Sequence, residues 1–209
     1  MTNLKDQMNE GAKEYGAEGG GQFQFSKSGK YSLRILCQPI AIATHFFGKG
    51  NPSHVCVGKD KGCPYHTEGI TKPSVKFITY VIDRQDENKV KIGELPWAVI
   101  SEVAEFQEEP EYAFEEYPIP YDIHVTCNKE ASSPADIYKT MAARNNEEVP
   151  AEIMKQFEEK NKEKTPTQYV EGRKNTEVAK LEAEKQWDGE SQQQEAPDYP
   201  EGPEGEPTI

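Results

Sequence analysis

Side chains that bind metal ions through sulfur or nitrogen are concentrated between positions 45 and 66 of the sequence. They are His45, His54, Cys56, Cys63 and His66. Cys63 and His66 are separated by two residues, with a proline after the cysteine, and this spacing lets two side chains converge on one tetrahedral ion. Cys56 supplies a third ligand, and either His45 or His54 supplies the fourth. We predict one structural Zn²⁺ here, because zinc accepts thiolate and imidazole at four positions.

The zinc prediction has two alternatives. A disulfide between Cys56 and Cys63 is disfavoured in a reducing compartment, and a chance clustering of polar loop residues would need no ion. The sequence contains no His-Glu-x-x-His motif, so we expect a closed structural site and not a catalytic metal. Cys37 and Cys127 fall on the inward faces of predicted strands and are expected to be packed thiols.

The residues that surround these ligands cannot form a core of their own. Positions 48–71 are rich in Gly, Pro, Lys and His and contain few apolar side chains. A metal ion that binds four side chains of such a segment would contribute directly to its folding. We therefore expect a zinc subdomain at 45–71.

Short strands flank the zinc subdomain. Apolar periodicity predicts strands at 30–37, 40–47, 74–83, 89–92, 121–127 and 138–142. The strand at 74–83 is nearly apolar on both faces, which places it in the centre of a sheet. Pro96 is expected to open one short helix. These elements predict a mainly β protein, a small barrel like the oligonucleotide-binding (OB) fold at 23–144, although a sandwich would give a similar pattern.

The ends of the chain have a different composition. Residues 1–22 are polar and glycine-rich, which predicts a flexible N-terminal arm. Residues 145–186 have helical spacing on a highly charged background, so we expect a helical extension beyond the barrel. Residues 187–209 carry seven acids and no base, which is typical of a disordered acidic tail that binds other proteins.

Net charge and hydropathy restrict the kinds of ligand and cellular location that the sequence allows. The formal net charge is −13, but residues 24–95 hold eleven bases and six acids, whereas residues 98–125 hold eight acids and no base. Such polarised charge is compatible with an anionic ligand despite the negative total. No apolar run approaches the roughly 20 residues of a membrane span, and the N-terminus lacks an apolar signal segment, so we expect a cytoplasmic protein without membrane association.

The basic segment also carries aromatic residues, and this combination is typical of proteins that bind single-stranded nucleic acid through cations and stacked rings. Within the strands, a base opposite an apolar face is expected to point at solvent or ligand, which favours Arg34, Lys76 and Lys91. Each single ring could instead belong to the core, where Phe and Tyr of strands are found more often than on a stacking surface. The candidate DNA-binding residues are Arg34, Phe47, Lys49, Tyr65, Lys76, Tyr80, Lys89 and Lys91.

The order of these motifs resembles the zinc-containing single-stranded-DNA-binding proteins of T4-like tailed bacteriophages. The resemblance covers residues 24–143 and rests on the motifs at 29–36, 63–66, 72–73, 77–84, 89–92 and 121–125. It implies an OB fold and a zinc pattern of His, Cys and Cys-x-x-Cys, into which His45, Cys56 and Cys63 fit in order. His66 stands where the family has its last cysteine.

The resemblance also implies a role in replication, recombination and repair. In such proteins an acidic tail contacts replication and recombination proteins and competes with DNA, and residues 187–209 are the counterpart here. The family's basic cooperativity motif is not visible in residues 1–22. We therefore expect a protein without enzymatic activity that coats single-stranded DNA.

Two other functions remain open from the residues alone. A zinc-stabilised interaction or regulatory module would use the acidic surfaces to bind basic partners. A metal-dependent nuclease would use Asp83, Asp86 and Glu87 as its carboxylates, but these residues lie in or beside a polar hairpin turn, which is a poor place for catalysis.

Overall fold

The structure, a computed structural model, describes residues 22–48, 53–146 and 148–191. Its strands are β1 (Gly29–Ile35), β2 (Ile40–His45), β3 (His54–Val55), β4 (Ser74–Asp83), β5 (Lys89–Pro96), β6 (Tyr121–Cys127) and β7 (Tyr138–Asn146). The α-helices in these ranges are α1 (Pro64–Thr67), α2 (Trp97–Glu108), α3 (Ala151–Glu163) and α4 (Pro166–Ser191). The mainly β class is therefore confirmed. No helix in the described ranges is both long and apolar enough to cross a membrane.

All seven strands belong to one sheet with the order β3-β2-β4-β1-β6-β7, and β5 pairs with the other edge of β4. β2 pairs with the first half of β4, from Ser74 to Ile78, and β1 pairs with the second half, from Val81 to Asp83. β1 and β2 thus follow one another along the same edge of β4. β5 runs antiparallel to β4 over eight residue pairs, which makes β4 the central strand that its two apolar faces predict.

The sheet is open in the described residues, so the predicted barrel is not confirmed. Closure would require β5 to pair with β7, but the described ladders contain no such pairing. Phe23 lies at the free edge of β5, where its N–H donates to the Ile92 carbonyl at 2.8 Å and its own carbonyl accepts from Glu94 N–H at 3.2 Å. Because this segment occupies hydrogen-bonding groups of the β5 edge, they are not offered to another strand.

Two layers cover the sheet. On one face, α2 packs its buried Val99 and Val103 into the main core. That core also contains Leu33, Ile35, Val81, Leu95, Ile119, Tyr121, Ile123 and Val125. The other face of β4 is covered by α3 and α4, which begin beyond the expected end of the barrel at residue 144. The helical extension predicted for residues 145–186 is therefore a packed layer of the fold.

Tyr80 shows how closely α3 fits the sheet. Its ring meets Phe157 edge to face at 5.6 Å between centroids, and its hydroxyl donates towards the carbonyl oxygens of Lys160 at 3.0 Å and Lys164 at 2.8 Å. Burial raises the pKa of Tyr80 to about 12. The ring that we expected to stack on a base is thus part of the core beneath α3.

The expectation for the Arg34 side chain also needs correction. We expected this strand residue to face solvent or ligand, but it is 1% exposed, and its Nε donates to Asp122 Oδ1 at 2.7 Å. Arg84 donates to the two oxygens of the same carboxylate, at 2.9 Å each. The prediction that Arg34 faces solvent was wrong because Asp122, a partly buried residue on the neighbouring strand β6, supplies a counter-charge.

We expect Asp122→Ala to lower the free energy of unfolding by about 3 kcal/mol, the lower end of the range for a broken buried ion pair. The substitution would leave two arginines close together without the carboxylate that both contact. Chemical denaturation measures the change, with Asp136→Ala at an exposed position as the control. Equal midpoints for the two variants would contradict a structural role for the Arg34 pair.

Candidate metal centre

The chain segment between β2 and β4 brings distant residues to one point. β3 pairs with the end of β2, with His45 opposite His54 and Thr44 opposite Val55. A tight turn then reverses the chain at Gly62, whose φ of 70° is in the left-handed region that favours glycine. This reversal brings Cys63, at the start of α1, back towards β2 and β3.

Four of the predicted ligands converge. The ligand atoms of His45, Cys56, Cys63 and His66 all lie within 4.8 Å of one another. Cys56 Sγ is 3.3 Å from His66 Nδ1, and Cys63 Sγ is 3.4 Å from His45 Nε2. A tetrahedral ion with ligands at about 2.0–2.3 Å would separate them by about 3.3–3.8 Å. The donor set and its spacing therefore fit one metal ion.

Burial opposes the charged forms of Cys56 and His45. His45 and Cys63 are fully buried, and Cys56 is 5% exposed. Burial raises the pKa of the Cys56 thiol and lowers the pKa of the His45 imidazole. A bound cation would reverse the preference of the thiol, because coordination favours the thiolate. The donor set of the pocket is therefore one that could hold a metal ion.

The structure distinguishes His45 from His54. His45 Nδ1 lies 2.9 Å from the hydroxyl of Thr71, which leaves Nε2 directed at Cys63 and fixes the ring. His54 Nδ1 instead lies 2.7 Å from Glu177 Oε1 and 3.2 Å from the Tyr65 hydroxyl. His54 is thus a bridge to α4, and His45 belongs to the converging set.

The centre is enclosed by protein. Tyr65 packs against His45 and His54 with ring centroids 5.2 and 5.1 Å away, and Phe47 lies 5.0 Å from Tyr65. Val178 and Leu181 of α4 pack on the cysteine side. Four protein ligands complete a tetrahedron, so an ion held by all four would have no open position for a substrate. The arrangement suits a structural role.

The cations expected to bind DNA are engaged with carboxylates. Lys76 Nζ lies 2.5 Å from Glu94, and Lys89 Nζ lies 2.9 Å from Asp86. Lys91 Nζ lies 2.8 Å from Asp83 and 2.6 Å from Asp86. Although burial opposes ionisation of Glu94, the contacts of Lys76 and Arg173 hold the pKa of this carboxyl below its usual range.

The structure therefore does not join the predicted DNA-binding residues into one surface. Arg34 and Tyr80 are buried, while Phe47 and Tyr65 line the metal centre. Lys49 lies outside the described residues. The three remaining lysines are those paired with carboxylates.

Two residues that position histidines of the candidate metal centre were not predicted from the sequence. The Thr71 hydroxyl orients the His45 ring, and the carboxylate of the buried Glu177 contacts the His54 ring. Thr71 follows the zinc motif closely and could have been suspected as a partner for a ligating histidine. Glu177 lies 123 residues from His54, and no local pattern links the two.

The carboxylates of the nuclease hypothesis do not form a metal site. Asp83 and Asp86 are bound to lysines, and Glu87 is 87% exposed. Among the described residues, the one group of His, Cys, Asp and Glu side chains able to hold an ion is that of His45, Cys56, Cys63 and His66.

Fold and site together define a mainly antiparallel β protein with a closed Cys₂His₂ cluster that could hold a metal ion. Comparison with known proteins found no matching family model, no similar curated protein and no similar solved structure.

We expect the purified protein to contain one equivalent of a divalent metal, and Cys63→Ser to lose it. Cobalt(II) substitution should give the absorption bands of a tetrahedral thiolate site in the parent chain and not in the variant. Chelation should raise protease sensitivity within 48–71 while the strand core survives, because the ion replaces an apolar core there.

His54→Gln is the matched control, since it changes a histidine of the same segment outside the converging set. This variant should retain its metal. Absence of stoichiometric metal from the parent chain, or equal loss from both variants, would contradict the four-ligand assignment.

Proposed function

We propose that this protein binds single-stranded DNA without enzymatic activity and is stabilised by one structural Zn²⁺. The observation that carries the proposal is the convergence of His45, Cys56, Cys63 and His66. His45, Cys56 and Cys63 follow the order of the zinc pattern in the phage single-stranded-DNA-binding proteins that the sequence resembles, and His66 stands where those proteins have their last cysteine. Zinc suits the set because two thiolates and two imidazoles in a tetrahedron are typical of its structural sites.

The proposed OB fold is supported by the strand connections. β1 and β2 follow one edge of β4 as a single bent strand would, β5 pairs with the other edge, and α2 lies between β5 and β6. With β1 and β2 counted together and β3 assigned to the zinc subdomain, five strands remain. An OB fold is a five-stranded barrel that is partly open.

The mechanism is electrostatic attraction to phosphates combined with stacking of bases on rings. Both contributions tolerate any sequence, because every nucleotide carries a phosphate and every base has a π face. The chain would protect transient single strands during replication, recombination and repair. Its acidic C-terminal residues would recruit other proteins of those processes.

One observation favours a protein-interaction module as the second candidate. Trp97 is 59% exposed and Val75 is 37% exposed, and the Trp97 ring lies 5.8 Å from Phe77. Trp97 opens α2, whose later turns carry Glu105 and Glu108. An exposed apolar patch beside acids fits a partner that is both apolar and basic.

We expect the protein to bind a labelled oligo-dT, with an affinity that falls as salt rises, by about 0.7 in log affinity per log salt for each phosphate contacted. Fluorescence titration at two salt concentrations measures both quantities. Duplex DNA of equal length is the control and should bind more weakly. A failure to bind oligo-dT at either salt concentration would favour the interaction module.

We expect deletion of residues 192–209 to raise the affinity for oligo-dT at low salt. These residues carry five acids and no base, and a tethered polyanion competes with DNA at high effective concentration. The cut falls after the last residue of α4 and spares the helix. The gain should shrink as salt screens the attraction over about 8–10 Å.

A full-length variant with these five acids changed to Asn or Gln is the control for length. It should reproduce the gain of the truncation. Equal affinities of all three proteins at every salt concentration would show that this segment does not compete with DNA.

A further inference from the structure

A polar cleft of about 360 Å³ lies between β3 and α4, beside the metal centre. Its polar lining comes from both walls and from the link between α3 and α4. The residues that matter here are Ser53, Lys164, Tyr169, Arg173, Thr176 and Lys180. None of them belongs to the DNA-binding set predicted from the sequence.

The periodicity of α4 explains why these side chains share one side. Val170 and Glu177 are buried beneath the helix, at 4% and 5% exposure. Arg173, Thr176 and Lys180 follow one another at intervals of three and four residues, which puts them on a common stripe. Arg173 and Lys180 are two turns apart, about 10 Å along the helix axis. The cleft therefore offers cations in a row and not at one point.

The charge in this cleft is positive. Its lining contains three cations, Lys164, Arg173 and Lys180, and one carboxylate, Glu177, whose Oε1 is held at 2.7 Å by His54. Arg173 contacts Glu94 at 2.9 Å, but Lys76 contacts the same carboxylate. Two cations on one carboxylate leave an excess of positive charge.

An aromatic ring lies at one end of the row. Lys164 Nζ lies 5.0 Å from the centroid of Tyr169, in cation–π range. Tyr169 also packs against the apolar cluster of Ile42, Val55 and Ile78, which holds its position. A fixed ring beside spaced cations is the combination that single-stranded nucleic acid requires.

We propose that this cleft binds a short segment of single-stranded nucleic acid, with phosphates on Lys164, Arg173 and Lys180 and a base against Tyr169. The inference rests on the proposed function and gives it a site. The Ser53 hydroxyl adds a hydrogen-bond donor that suits a phosphate oxygen, whereas the Thr176 hydroxyl donates to the Gly172 carbonyl at 2.9 Å. The contacts come from α4, from Lys164 in the link before it and from Ser53 just before β3, and not from the strand cations, which face carboxylates.

The cleft also connects binding to the metal centre. β3 forms one wall, and Cys56 follows it directly in the chain. Loss of the ion would leave β3 held by its pairing with β2 and by the contact of His54 with Glu177 of α4, so we expect the wall to loosen. The proposed zinc thus shapes the binding cleft without touching the ligand.

The test compares Lys164→Gln and Lys180→Gln with Lys30→Gln and Lys139→Gln, which remove equal charge from exposed positions of β1 and β7. Each cleft variant should bind oligo-dT roughly threefold to tenfold more weakly at low salt. Each should also lower the salt slope by about 0.7. Tyr169→Leu, which keeps apolar packing, should cost roughly tenfold with an unchanged slope.

The controls should bind like the parent chain, and thermal unfolding of every variant checks that the fold is retained. Parent-like affinity of both cleft lysine variants, with oligo-dT still bound by the parent chain, would overturn the cleft and leave the proposed function standing. Loss of affinity confined to the Lys30 and Lys139 variants would also overturn the cleft while leaving the proposed function standing. It would place the DNA near these exposed residues of β1 and β7.

A parent chain that does not bind oligo-dT would overturn the proposed function and the nucleic-acid assignment together. NMR titration with inorganic pyrophosphate and with oligo-glutamate then tests the cleft by itself. Shifts of the Ser53 and Thr176 amides with pyrophosphate would support a phosphate cleft. Shifts with oligo-glutamate alone would show that it binds an acidic peptide.

Discussion

The central strand β4 has apolar side chains on both faces, and the rest of the structure is arranged around this constraint. Val81 faces the main core under α2, whereas Tyr80 and Ile82 face α3. A strand that is buried on both faces needs two covering layers. The second layer is supplied by α3 and α4, so this charged segment near the C-terminus is required to complete the fold.

The segment between β2 and β4 has the opposite difficulty, because it has too few apolar residues to fold by itself. On one side of the segment, four side chains that could hold a metal ion converge; they are His45, Cys56, Cys63 and His66. From the other side it is held by α4, through Val178 and Leu181 and through the contact of Glu177 with His54. The helix that covers β4 therefore also fixes the segment and creates the cleft between them.

Local patterns were sufficient for the features that depend on neighbours in the chain. Alternation predicted the strands other than the two-residue β3, and the Cys63 to His66 spacing indicated the ligand cluster. The choice between His45 and His54 needed the pairing of β2 with β3, which no spacing reveals. The sheet-covering role of α3 and α4 was not predicted, because their sequences are mostly charged and few of their residues are buried.

The charged residues show most clearly that local patterns do not reveal contacts between distant parts of the chain. Arg34 and Asp122 are 88 residues apart in sequence, yet they form a partly buried pair. The strand cations face carboxylates because β4, β5 and β6 bring bases and acids side by side. Lys180 lies on an exposed helix flank, and no described carboxylate forms an ion pair with it. The number of bases in a segment is thus a poor guide to where an anion binds. What matters is whether each base already forms an ion pair with a carboxylate. A cation that is already neutralised must give up a partner before it attracts a phosphate, whereas Lys180, which forms no ion pair with a described carboxylate, need not.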